Sequence, residues 1–200
     1  KKMLWTTCLC FLSLCTGSTL EYFLEVRQAV WKPDGFPRTV YGFFSSTSKV
    51  GSQPFPEPLI RGHVSDMLRV SVTNHLHEEI TSVHWHGIHM TNRACQDGTP
   101  GITDRGVLPH ETRVYEFLAE RAGTYWYHSH SGAQYTDGLL GPLIIDAIAN
   151  ASQSEEPDYV VMLQDWVSFC FFLASCRAKL NVVFLSLSIM RRGKLWQHCP

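Results

Sequence analysis

Two short histidine motifs constrain this chain more than any other feature of its sequence. His84-Trp85-His86 and His128-Ser129-His130 each place histidines at alternate positions. In a β-strand, alternate side chains point to the same face of the sheet, roughly 6.5–7 Å apart along the strand. Each motif therefore predicts two imidazoles on one face, and the two pairs could face one another across a gap. Four converging neutral imidazoles suit copper, zinc, iron or nickel and are poor ligands for magnesium or calcium.

Short strand patterns separated by turn signals surround these motifs. The stretch 20–31 mixes aromatic and β-branched residues, and the stretches 67–73 and 112–118 alternate apolar with polar residues. Strands are also predicted at 39–44, 80–86, 124–128 and 159–163. The nearly continuous apolar run at 139–145 predicts a central strand. With no convincing amphipathic helix, the pattern predicts an all-β Greek-key sandwich. A cupin-type jelly-roll barrel is the alternative, although its usual glutamate and third-histidine spacing is not evident.

Composition and the chain ends narrow the functional classes. Seventeen basic against 18 acidic residues give a net charge of −1, which argues against nucleic acid or an anionic membrane surface as a partner. The chain starts with basic residues, which are followed by an apolar run and then by small residues. This order predicts a signal peptide over residues 1–18 and a secreted protein. Its apolar run is shorter than the roughly 20 residues that span a bilayer, so no clear membrane span is predicted. A buried strand or helix is the alternative for this segment.

The C-terminal part has a different composition. It changes abruptly at Trp166, and residues 167–200 hold two apolar runs that neither alternate cleanly nor reach spanning length. We expect this tail to be an artefact of the gene model, with a membrane-associated tail as the alternative. Cys95 is the only cysteine between the predicted signal peptide and this tail. In a secreted protein we expect it to pair with a partner outside the fragment.

Four segments in this order resemble the first cupredoxin domain of multicopper oxidases, with the animal laccase-like branch as the nearest fit. They are residues 81–87, 97–98, 123–130 and 137–143, and the resemblance covers about residues 55–166. It implies a cupredoxin-like Greek-key β-sandwich, with a plastocyanin-like domain at 20–150 and the start of a second cupredoxin domain at 157–166.

The resemblance also implies a chemistry. Such oxidases take single electrons from phenols, aromatic amines or metal ions and reduce dioxygen to water at a three-copper cluster. His84 would ligate the type 2 copper, and His86, His128 and His130 the type 3 coppers. Asp97 matches an acidic residue near the cluster, which implies a proton relay or a partner that orients a ligand. An ordinary turn at Asp97-Gly98 is the alternative for that residue.

Other residues near the motifs have a simpler interpretation. Trp85 and Ser129 lie between the histidines and must face the other way, Trp85 into the core. We expect Trp126 and Tyr127 to serve packing rather than electron transfer. The third His-x-His, at His75 and His77, lies in a polar connection, so these residues are expected at the surface.

Three local departures from the family pattern stand out. Ser65-Asp66 occupies the place of a common Gly-Asp, and Pro109-His110 that of a common Pro-Gly. Residues 104–106 read Asp-Arg-Gly where Gln-Cys-Pro is usual, so a family cysteine is missing.

The family completes its cluster with histidines from a later domain and a His-Cys-His motif that is not found in this sequence. We therefore expect the chain to be a fragment that is inactive alone. Two alternatives remain: a non-enzymatic copper-binding module, and a mononuclear zinc hydrolase-type site with three imidazoles and an open water position.

Overall fold

The computed structural model describes residues 17–46, 58–147, 159–162, 164, 166, 188–191 and 194–195. Most of the predicted signal peptide and most of the predicted tail lie outside these residues. Within them, no helix has the length and apolar character needed to cross a membrane.

Eleven strands and one short 3-10 helix make up the described structure. In chain order they are β1 (Thr19–Trp31), β2 (Arg38–Ser45), β3 (Ile60–His63), β4 (Met67–Asn74), β5 (His84–His86), the 3-10 helix Ala94–Gln96, β6 (Thr112–Leu118), β7 (Gly123–His128), β8 (Leu140–Asp146), β9 (Tyr159–Val161), β10 (Ser188–Arg191) and β11 (Lys194–Leu195).

Two four-stranded sheets share one hydrophobic core. The first has the order β2-β1-β4-β6, and the second β3-β8-β7-β5. Rings from the two sheets meet in the core: Trp85 lies 4.6 Å from Phe117, and Phe43 lies 5.1 Å from Tyr127, between ring centroids. The predicted all-β, cupredoxin-like sandwich is confirmed. The short strands β9, β10 and β11 form a separate three-stranded sheet in the order β11-β10-β9.

The predicted strands agree with the structure except around residues 80–86. Strand β8 lies inside its sheet between β3 and β7, and its residues from Leu140 to Ile145 are all buried, as the apolar run predicts. The strand predicted at 80–86 is only three residues long. Thr81 makes an isolated bridge to Val107 instead. The segment before β5 therefore pairs with the loop at residues 87–109 and not with a neighbouring strand.

The turn between β3 and β4 explains one departure from the family pattern. Ser65 has a φ of 78°, a left-handed conformation in which glycine carries no steric penalty. His110, at the other position where the family commonly has glycine, has a φ of 63°. The family preference therefore reflects backbone geometry, and this chain keeps that geometry with side chains that disfavour it.

Replacing Ser65 with glycine is expected to stabilise the protein. The left-handed conformation costs an L-residue roughly 1–2 kcal/mol, and glycine loses about 0.5–1 kcal/mol through the entropy of the unfolded chain. Ser65→Gly should therefore raise the free energy of unfolding by about 0.5–1 kcal/mol, measured by urea denaturation. Ser65→Ala is the control and should give no gain. Equal free energies of unfolding for the two variants would contradict backbone strain at Ser65.

Asp66 joins this turn to the start of β1. Its carboxylate is buried and accepts hydrogen bonds from the backbone N–H groups of Ser18 and His63, both at 2.8 Å, and from the Ser18 hydroxyl at 2.9 Å. Burial raises the pKa of Asp66, but these hydrogen bonds outweigh burial and hold the pKa below its ordinary value.

This lowered pKa predicts acid sensitivity. Because the folded pKa lies below the unfolded one, Asp66 stabilises the fold fully above the unfolded pKa, near 4. That stabilisation is lost as the pH falls through the folded pKa. The stability of the wild type should therefore drop more steeply below pH 4 than that of Asp66→Asn, measured by denaturant unfolding at pH 2–6. Parallel pH profiles would refute this role.

A buried ion pair involves the residue next to the position of the missing family cysteine. The Asp104 carboxylate pairs with the Arg113 guanidinium, and the Asp104 side chain is fully buried. Arg113 also donates to the carbonyl of Cys95 at 2.9 Å and to that of Gly106 at 3.4 Å. Arg113 of β6 therefore holds two distant points of the long loop at residues 87–109.

Removing one partner of this pair should be costly. Arg113→Leu leaves the Asp104 carboxylate buried without a counter-charge, so we expect a loss of about 3–5 kcal/mol in the free energy of unfolding. Adding Asp104→Asn should restore part of it. The control is Arg105→Leu, since Arg105 pairs with Glu111 at the exposed surface, where ion pairs contribute little to stability. Equal losses of stability for the two arginine variants in urea denaturation would rule out a stabilising role for the Asp104–Arg113 pair.

Candidate metal centre

The pairing of β5 with β7 brings the two histidine motifs together. His84 lies directly opposite His128, Trp85 opposite Tyr127, and His86 opposite Trp126. The motifs thus lie side by side on neighbouring strands of one sheet face. The expectation that they face one another across a gap is wrong, because the antiparallel register pairs the first histidine of each motif. Trp85 and Tyr127 point to the opposite face, where both are fully buried.

Three of the four histidines converge. One ring nitrogen from each of His84, His86 and His128 lies within 4.8 Å of the other two, and this is the one such group of three among the described residues. The ring of His130 is 5.8 Å from that of His84 and 6.1 Å from that of His128, between centroids. His130 follows the end of β7 and is exposed. It borders the three-histidine group without belonging to it.

Backbone carbonyls set the orientation of two of these rings. His84 Nδ1 lies 2.8 Å from the carbonyl oxygen of Asp97, and His128 Nδ1 lies 2.9 Å from that of Ser129. A carbonyl only accepts, so each Nδ1 must carry the proton and donate. The Nε2 of each ring therefore carries the lone pair with which it could bind a metal, and that of His128 faces Nδ1 of His86 at 3.3 Å.

Asp97 contacts the site through its side chain as well. Its carboxylate oxygen Oδ1 lies 3.3 Å from His84 Nδ1. Gly98 makes this approach feasible: it has a φ of 76°, and a Cβ at this position would lie 1.8 Å from the carbonyl oxygen of Val83. The Asp97 carboxylate therefore lies beside His84 next to a closely packed Gly98, and its role as a proton relay or as a partner that orients His84 stays a prediction.

Trp126 is the site residue that sequence reasoning missed. Its ring stacks on His86, with centroids 4.8 Å apart, and on His128, with centroids 4.1 Å apart. The ring of Tyr135 packs at a tilt against His128, with centroids 5.3 Å apart. Trp126 does serve packing, as predicted, but on the histidine face. Its position two residues before His128 in the strand was the available signal.

The surroundings keep two of the imidazoles neutral. Burial lowers the pKa of His128 to about 4; the hydrogen bond to Ser129 opposes this shift, and the neighbouring histidines add to it. Burial, and then the proximity of His84, lowers the pKa of His86. Both rings are therefore unprotonated at neutral pH, as metal ligands must be.

The remaining histidines lie elsewhere. His75 and His77 are exposed, as predicted, and His77 packs edge-on against His110 with centroids 5.9 Å apart. His89 has a side chain that is 63% exposed and lies near Glu120. Cys95 is an exposed free thiol in the 3-10 helix, and its predicted pairing with a partner outside the fragment stays a prediction.

The donor set fits a borderline metal ion such as copper. His86 Nδ1 and His128 Nε2 lie 3.3 Å apart. Two nitrogens each about 2.0–2.1 Å from one tetrahedral ion would be separated by about 3.3 Å, so this spacing suits a shared ion. Imidazole nitrogen is a good ligand for copper and zinc and a poor one for hard cations.

Comparison with known proteins supports a copper protein. The sequence signature described as multicopper oxidase matches residues 44–150. Laccase-2 of Botryotinia fuckeliana is 41% identical over 151 residues, which cover 76% of this chain and 24% of that protein. Copper resistance protein A of Escherichia coli is 44% identical over 111 residues, covering 56% of this chain and 18% of that protein. The crystal structure of the laccase from Botrytis aclada superposes with a TM-score of 0.63 and 37% identity, covering 76% of this chain and 27% of that one.

These comparisons correct one expectation. The named relatives are fungal and bacterial, so the nearness to the animal branch is not supported. The chain spans about a quarter of the length of the fungal laccase it matches. The family signature covers more than half of the chain and includes the three converging histidines and Asp97. This chain belongs to the multicopper oxidase family.

Proposed function

We propose that this chain is the N-terminal copper-binding domain of a laccase-like multicopper oxidase. In this proposal His84 ligates the type 2 copper, and His86, His128 and His130 ligate the type 3 coppers. The observation that carries the proposal is the convergence of His84, His86 and His128 within 4.8 Å. The domain would comprise residues 20–150, with a second cupredoxin domain beginning at 157–166, and the mature protein would be secreted.

Copper would supply one-electron oxidation of phenols, aromatic amines or metal ions, coupled to reduction of dioxygen to water. The chain's own residues orient the ligands for this chemistry. The carbonyls of Asp97 and Ser129 hold His84 and His128 with Nε2 directed away from the backbone. Trp126 covers the rings of His86 and His128 with an apolar surface, which limits the access of water to them.

Asp97 is proposed to hold and pass protons beside the ligand His84. Its carboxylate lies 3.3 Å from His84 Nδ1, and its side chain is 27% exposed. It therefore contacts both a ligand and bulk water. Reduction of dioxygen to water consumes protons, and a partly exposed carboxylate at this distance is suited to deliver them.

The start of the proposed second domain packs against the first. Trp166 lies 5.3 Å from Trp31 between ring centroids, and the Arg38 guanidinium lies 4.2 Å above the Trp166 ring. Gln164 donates to the carbonyls of Tyr135 and Thr136 at 3.0 and 3.1 Å. These contacts support a second domain whose first residues pack against the first sandwich.

Copper binding by the 200-residue chain tests the proposal. We expect the purified chain to bind Cu²⁺ with a nitrogen-rich electron paramagnetic resonance spectrum. His86→Ala and His128→Ala should each weaken binding at least about tenfold, since each removes a ligand. His89→Ala is the matched control and should leave the affinity unchanged. Equal affinities in all four proteins would contradict the site.

Oxygen uptake tests the proposed inactivity of the fragment, and the metal content of a native preparation tests the zinc alternative. Half of a cluster should leave dioxygen unreduced, so the copper-loaded chain should show no laccase-like oxygen consumption with a phenol. Stoichiometric consumption would overturn the proposed inactivity of the fragment. The converging group has three histidines, which is also the donor count of a zinc hydrolase site. Zinc rather than copper in a native preparation would favour that function.

A further inference from the structure

One buried side chain connects the two segments that carry the histidines. Gln134 is only 6% exposed and lies in the turn between β7 and β8. Its amide oxygen accepts a hydrogen bond from the Thr81 hydroxyl at 2.9 Å and another from the Ser129 hydroxyl at 2.7 Å. Thr81 lies three residues before His84, and Ser129 lies between His128 and His130. The same oxygen atom thus touches both histidine segments.

The amide nitrogen of Gln134 is engaged on the other side. It donates to the carbonyl of Ile80 at 3.0 Å and to the carboxylate of Glu79 at 3.3 Å. The opposite amide orientation would set the oxygen against a carbonyl and a carboxylate, which only accept. The partners therefore determine which amide atom faces the histidine segments.

The hydrogen bonds continue from Gln134 to the backbone around His130. The Ser129 oxygen that donates to Gln134 also accepts from the N–H of Ser131 at 3.1 Å. The Ser82 hydroxyl accepts from the N–H of His130 at 3.1 Å. Thr81, Ser82 and Ser129 are each fully buried, where a hydroxyl without a partner is costly. The two segments are therefore held together by polar contacts beneath the imidazoles.

We propose that Gln134 is a positioning residue of the metal centre, which sets the separation of the two His-x-His motifs by bonding Thr81 and Ser129 through one amide oxygen. The assignment rests on the proposed copper site. Strand pairing alone aligns only His84 with His128, because β5 and β7 pair over three residues each. His130 lies past the end of that pairing, and its backbone is held by this hydroxyl network.

The first test replaces Gln134 with methionine, which has a similar length and makes no comparable hydrogen bonds. In the full chain, Gln134→Met should weaken Cu²⁺ binding about 10- to 100-fold, the usual range for residues that orient metal ligands. It should also change the nitrogen couplings in the electron paramagnetic resonance spectrum. The control is Gln164→Met, because Gln164 donates to carbonyls of the same turn and contacts neither histidine segment. It should bind copper as the wild type does.

Thr81→Val keeps the shape of the side chain and removes only the hydroxyl. It should weaken copper binding roughly threefold, and this effect should disappear in the Gln134→Met background, because the shared oxygen is already gone. Wild-type affinity and spectrum in folded Gln134→Met, or independent effects of the two substitutions, would overturn the assignment. If Gln134→Met does not fold, unchanged affinity in Thr81→Val overturns it. A wild-type chain that binds no copper would instead refute the proposed function.

Discussion

The antiparallel pairing of β5 with β7 places the core and the histidine face on opposite sides of the same two strands. His84 lies opposite His128 on one face, and Trp85 lies opposite Tyr127 on the other. Because side chains alternate along a strand, a shift of one residue would move tryptophan out of the core and histidine into it. Burial of two large aromatic rings, each contributing roughly 1.5–3 kcal/mol or more, therefore maintains the alignment of the histidines.

Strand pairing aligns the histidines but does not fix the orientation of their rings. Neighbouring elements do so. The loop at 87–109 brings the Asp97 carbonyl to His84, and it can do so because Gly98 passes close to the backbone of Val83. The ion pair between Asp104 and Arg113 holds the same loop, next to the position where the family commonly has a cysteine. The position of the loop therefore depends on a buried charge and its counter-charge.

Much of the site could be predicted because its signals are local. Alternation at β4 and β6 and the apolar run at β8 are visible in a single strand, and so is the spacing of the two His-x-His motifs. The contact of Trp126 with His86 and that of Gln134 with Thr81 could not be found in this way. Trp126 reaches His86 because it lies opposite that residue across β5 and β7. Gln134 meets Thr81, 53 residues away in the chain, through a turn whose path no local pattern describes.

The sequence alone determined the class of fold, the spacing of the histidines within each motif and the family, since all three depend on residue identity and on spacing within short segments. The register between segments was decided only by the tertiary structure. That register makes the two motifs neighbours on one face and gathers His84, His86 and His128, while His130 stays exposed at the margin. It also orients the imidazoles through carbonyls of Asp97 and Ser129. The physical reason is that hydrogen-bond partners and burial arise from contacts between distant segments, whose alignment no single segment contains.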